Sequence, residues 1–173
     1  MKMLVLVASL ALPILACGQG ATTCPVHEHQ GMSDDHAAGV DARGDHAMGF
    51  SHDASAHHFL LFPSGGVIEV DANDKNDKAS RDEIRIHLSH IAEMFTEGNF
   101  QVPMFIHDKV PPGVSVMESK EGAISYTFEP TPTGGRVRIA TADKDALEAI
   151  HEFLAFQIDD HRTGDSKVVE SPR

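Results

Sequence analysis

The chain has 173 residues and a formal charge of −12 at pH 7 with histidine neutral. That charge counts against nucleic acid, which needs a basic patch, and against electrostatic binding to anionic membranes. The absence of tryptophan and the single tyrosine count against an aromatic carbohydrate platform, whereas an acidic surface favours cations.

Residues 1–16 carry Lys2 followed by an apolar run, too short for a spanning helix and suited to an export signal. Ile14-Leu15-Ala16-Cys17-Gly18 resembles a bacterial lipobox. That resemblance implies lipidation of Cys17, and Gly18 in place of a retaining aspartate implies an outer-membrane lipoprotein facing the periplasm. Ordinary cleavage nearby would give a free periplasmic protein instead. With Cys17 lipidated, Cys24 is the one remaining thiol, so no internal disulfide holds the domain.

Residues 17–56 read as a flexible tether, rich in Gly, Ala, Asp and His and poor in branched apolar side chains. Seven of the twelve histidines fall between Cys24 and His58, with Met32, Met48 and several aspartates among them. Such donors point to a transition metal, copper or zinc first. Cys24, His27 and His29 reach one ion in an extended chain, while His36, His46 and His52 are spaced for several weak sites. Cys24-Pro25-Val26-His27 is similar to the Cys-Pro-x-His element of bacterial heavy-metal-binding segments, which implies ligand roles for Cys24 and His27.

A folded domain is expected over residues 57–162. His58 to Phe62 and Val67 to Val70 read as strands around a Pro63-Ser64-Gly65-Gly66 turn. Ser80 with Glu83 has the pattern of a capping box, opening a helix that runs to about Glu97 and stops at Gly98. Phe100 to His107 contains Pro103 and reads as an edge strand, and Pro111-Pro112-Gly113 as a turn. Ile124 to Phe128 and Arg136 to Ala140 form a second hairpin. A last helix runs from Asp143 to about His161, and residues 163–173 are a disordered tail.

Phe62-Pro-Ser-Gly-Gly-Val-Ile-Glu-Val aligns with Thr131-Pro-Thr-Gly-Gly-Arg-Val-Arg-Ile, and Ile86-His87 falls on Ile150-His151 after a gap. The fold class is therefore α+β: a two-layer sandwich, an antiparallel sheet of two hairpins in a ββα repeat, with two helices on one face.

On the first helix Ile84, Leu88, Ile91 and Phe95 form the core face. Glu83, His87, His90 and Met94 form a neighbouring stripe, on which His87 and His90 can share an ion and Met94 can add a thioether. On the last helix Leu147, Ile150, Leu154 and Ile158 face the core with His151, read as a satisfied neutral histidine. Phe153 and Phe156 point away, to pack under loops or to form a homodimer contact. As an edge strand, Met104 and Ile106 face one side, and Phe105 and His107 the other.

Residues 49–165 also resemble a group of bacterial exported proteins sharing the His-His-Phe hairpin, the Ile-Arg-x-His-Leu-x-His-Ile helix, the Pro-Pro-Gly-Val turn and the Ile-His-Glu-Phe-Leu helix. The resemblance implies no activity. The function expected is that of an envelope lipoprotein binding copper or zinc for sequestration, tolerance or hand-over. The alternatives are a lipid-anchored interaction module and a small metal-dependent enzyme with His57, His58, His87, His90 and His107 at its site. No H-E-x-x-H, G-x-S-x-G or phosphate loop is present.

Overall fold

The computed structural model describes residues 28–171, with side chains from Asp34 onward. The export signal, Cys17, Cys24 and His27 lie outside the described residues. Four strands, β1 (Ser55–Phe62), β2 (Gly65–Ala72), β3 (Ile124–Pro130) and β4 (Gly134–Thr141), pair antiparallel in the order β1-β2-β4-β3. The helices are α1 (Glu28–Met48), α2 (Lys78–Thr96), α3 (Gln101–His107), α4 (Val114–Ser119) and α5 (Lys144–Asp160). The α+β sheet-and-helix architecture expected from the sequence is present.

The repeat governs the sheet. β2 and β4 pair with Ile68 opposite Val137, and these two residues occupy the same place in the two aligned hairpins. A pseudo-twofold axis therefore passes through that pair. The glycines obey it: a Cβ on Gly65 would meet the Ile139 carbonyl oxygen at 2.0 Å, and one on Gly134 would meet that of Val70 at 2.0 Å. Both positions need glycine because the facing strand lies where a side chain would begin.

The helices cross over. α2 follows the first hairpin yet packs mainly on β4 and β3, and α5 follows the second yet packs mainly on β1 and β2. Asp77 caps α2 and Asp143 caps α5, each accepting backbone N–H bonds from the first turn. Ser80 is thus not the cap; its N–H is the donor, 3.1 Å from Asp77 Oδ1. The helix match is also shifted from the one expected. Arg85 Nε donates to Gly134 O at 2.9 Å and its Nη2 to Thr131 O, while His151 Nε2 donates to Phe62 O at 2.9 Å and Gly65 O at 3.1 Å. Equivalent carbonyls are served, so Arg85, not His87, corresponds to His151. Ile84 then matches Ile150, Leu88 matches Leu154, Ile91 matches Gln157 and Phe95 matches His161.

Three expectations are corrected. Phe100 to His107 is not an edge strand: residues 101–107 form α3, with Pro103 in the first turn, where its missing N–H is no loss. Phe153 does not point away from the core; it is 1% exposed and packs edge-on against Phe95 and Phe100. The tail is held rather than loose. β1 is an edge strand with free backbone groups, and Phe59 N–H donates to Asp165 Oδ2 at 3.0 Å while Glu170 N–H donates to Leu61 O at 2.8 Å.

The tether reading also changes from Glu28 onward. Ala37, Val40, Gly44 and Met48 lie along one side of α1, and Ala37 and Val40 are buried. Arg43 Nε donates to Ile106 O at 2.7 Å, which ties α1 to α3. The face is made of small residues, so it carries little hydrophobic signal. Among the described residues no helix is long and apolar enough to cross a membrane.

Candidate functional site

β1, α2, α3 and α5 converge on a cavity of about 60 Å³, with Met48 at the end of α1 closing one side. Its walls are mainly apolar, including Phe59, Ile91, Phe95, Ile106 and Phe153, but four histidines line it: His57, His87, His107 and His161. The volume is that of about two water molecules.

Each histidine arrives for a local reason. Alternation along β1 turns His57, with Phe59, toward the helices and His58 to the opposite face. His87 sits one turn beyond Ile84 on α2, beside the core stripe. α3 swings His107 inward to 1% exposure, which a strand would not have fixed. His161 is the C-cap of α5.

The rings contact one another. His57 and His161 are parallel within 1° with centroids 5.7 Å apart, and His107 meets His161 edge-on at 5.0 Å. Phe50 stacks with His57 at 6.4 Å and meets His87 edge-on at 5.9 Å. His57 Nε2 lies 3.3 Å from Met48 Sδ. His107 Nδ1–H donates to Asp160 Oδ2 at 2.5 Å, and Asp160 also accepts from His36 Nε2 at 3.0 Å. Gln157 Oε1 lies 2.9 Å from His107 Nε2, a contact that needs a proton on that nitrogen. A half-turn of the amide presents the otherwise unpartnered Gln157 Nε2–H and suits the neutral ring.

Burial keeps this cluster uncharged. It pushes His57 and His87 down to about 4, with neighbouring histidines adding to the effect, and His161 down to about 3. His107 is also lowered by burial, although the Asp160 carboxylate opposes the shift. Neutral imidazole is the form that ligates metals. Among the described residues the lining thus offers nitrogen bases and one thioether, and no hydroxyl or thiol.

The sequence-derived candidates divide. His57, His87 and His107 share the cavity. His58 does not; its Nδ1 pairs with Asp165 Oδ1 at 3.0 Å on the other side of β1. His90 is exposed and Met94 packs against the core, so the expected His87-His90-Met94 stripe is split between cavity and solvent. His29 falls within α1, while Cys24 and His27 lie outside the described residues. His161, Gln157 and Asp160 were not expected at the site, and Met48 was expected only as a donor within the tether. The repeat carried the missing signal: with the helices in register, His161 falls where the other half has Phe95.

Where α2 packs on the second hairpin, Tyr126 and Phe95 meet with centroids 5.6 Å apart. Their counterparts are His57 and His161, and Ile91 has Gln157 as its counterpart. The fold builds the same corner once from aromatic and aliphatic groups and once from imidazoles and an amide. Among the described residues no three His, Cys, Asp or Glu side chains stand ready around one ion.

No family model matches the chain, and no curated protein or solved structure matches it significantly.

Proposed function

We propose that this chain is an envelope lipoprotein that binds copper or zinc for sequestration or hand-over, with the four-histidine cavity as its ordered site. The observation that supports this most is the replacement of Phe95 and Tyr126, at one of the two equivalent helix-on-hairpin contacts only, by His161 and His57. A corner built on a phenyl and a phenol ring suffices for the fold at the equivalent contact, so the imidazoles serve something other than packing. They are borderline donors, held neutral, and suit copper and zinc. The histidines of α1 and the preceding stretch add weaker donors outside the cavity.

The test is metal analysis of the purified chain after equilibration with Zn²⁺ or copper and removal of free ion. Deleting residues 18–56 would remove α1, Phe50 and the start of β1, so substitutions are the cleaner tool. H57Q/H161Q is compared with H27Q/H29Q/H36Q/H46Q. The expected result is loss of the tighter equivalent in the first variant and retention in the second. Metal retained by the first and lost by the second would confine binding to the N-terminal stretch. No uptake by the unaltered chain would refute the function.

A further inference from the structure

We propose that Met48 and His57 form a two-donor Cu(I) site at the mouth of the cavity, reached through an acidic groove beside α1. This rests on the metal-binding reading above and specifies the ion and its ligands. The donor atoms already face each other, with Met48 Sδ 3.3 Å from His57 Nε2. Bonds of about 2.1 Å to nitrogen and about 2.3 Å to sulfur would subtend roughly 100° at an ion bridging them, an angle that suits a tetrahedral shell completed by exchangeable ligands.

The imidazole is held in place. Its ring stacks with Phe50 and with His161, near-parallel to both, which fixes the direction of Nε2. Met48 is fixed as the last residue of α1, whose Val40 is buried and whose Arg43 is tied to α3. The free protein satisfies the pair with an Nε2–H to sulfur contact. Ion binding requires that proton on Nδ1, a tautomer change with no net proton release.

A groove of about 440 Å³ leads to this point. Met48, His57 and His161 lie along it, with Asp41, His52 and Asp53 on its polar side. His52 Nδ1 is 2.9 Å from Asp45, and its Nε2 is 3.4 Å from Asp53 and 3.8 Å from Asp41. Arg162 neutralises part of this by pairing with Asp41 at 3.1 Å. The remaining carboxylates draw cations, and the thioether then selects a soft monovalent ion over Zn²⁺. Two protein donors leave positions open, so the ion can pass to an acceptor by ligand exchange.

The experiment is anaerobic Cu(I) titration of the full chain against a chromophoric Cu(I) chelator, with Met48→Leu compared to Met32→Leu. Leucine conserves the volume of methionine, and thermal unfolding checks the fold. M48L is expected to weaken Cu(I) binding by more than the roughly tenfold that even an outer-shell partner contributes, while leaving Zn²⁺ uptake unchanged. M32L should match the unaltered chain. His57→Gln, which removes the nitrogen donor, should reproduce the Cu(I) loss if M48L proves unstable. X-ray absorption in a Cys24→Ser background should show sulfur beside copper that M48L removes. Unchanged Cu(I) affinity in both M48L and H57Q overturns this site alone. A chain that takes up neither copper nor zinc overturns the broader function with it.

Discussion

His161 stacks on His57 in the position that Phe95 takes beside Tyr126 at the symmetry-equivalent contact of helix and hairpin. Imidazole in that corner is a choice made against stability. His161→Phe should therefore stabilise the domain, since it restores the apolar side chain and removes a buried polar group. A gain of about 1 kcal/mol is expected from the desolvation relieved. That corresponds to a rise of roughly 4 °C in Tm, readable by calorimetry. A lower Tm would show that the corner has adapted to imidazole.

Acid should loosen the fold before the carboxylates titrate. His57 and His87 are depressed to about 4 and His161 to about 3, against about 6.5 in the unfolded chain. The unfolded state therefore binds more protons below pH 6.5. Stability is fully present above that pH and declines as pH falls toward 4. His52, raised chiefly by its hydrogen bond to Asp45, acts in the opposite sense but is one half-buried group against three. Urea midpoints should fall from pH 7 to pH 5, and H161F should flatten that slope. A midpoint independent of pH in this window would contradict the buried neutral cluster.

Gly65→Ala and Gly134→Ala should be matched in severity. Each new Cβ would lie 2.0 Å from a carbonyl oxygen of the facing central strand, on opposite sides of the pseudo-twofold axis. Neither strand can retreat without breaking the β2-β4 pairing. Each is expected to cost more than about 3 kcal/mol, beyond the usual range for overpacking. Gly122→Ala, which meets open space, should change little. Denaturant unfolding of the three variants checks this; a mild G134A would break the inferred symmetry.

Asp165→Ala should release the tail. Asp165 accepts from Phe59 N–H, from His58 Nδ1 and from Thr163 Oγ1, and so clamps the chain onto the free edge of β1. Its loss should cost about 1–2 kcal/mol and expose that edge. Faster hydrogen exchange at Phe59 and Leu61, with concentration-dependent self-association, is the expected signature. Unchanged exchange at Phe59 would show that the tail is dispensable.

Much of this was readable from residue order. The two Gly-Gly hairpins announced the repeat, because a tight turn between apolar strands has few sequence solutions. The spacing of Ile84, Leu88, Ile91 and Phe95 announced the buried face of α2, because a helix repeats at fixed angles. α1 was missed because its buried side carries Ala37, Val40 and Gly44, too small to stand out from a polar background. α3 was missed because Pro103 reads as a strand-edge residue unless it is known to fall in a first helical turn.

The sequence alone determined the donor types, the acidic charge, the repeat and the sheet-and-helix class, since these follow from composition and local periodicity. The tertiary structure decided which donors meet. His57 and His161 are far apart in the chain, and only the crossing of α5 onto β1 and β2 brings them together. His58 and His90 were excluded from the cavity by strand alternation and helix rotation, while Met48 was brought to it by the packing of α1. A periodic pattern specifies the face a residue occupies within its own element. Which faces touch depends on how the elements cross, and that is settled by burial of the whole core.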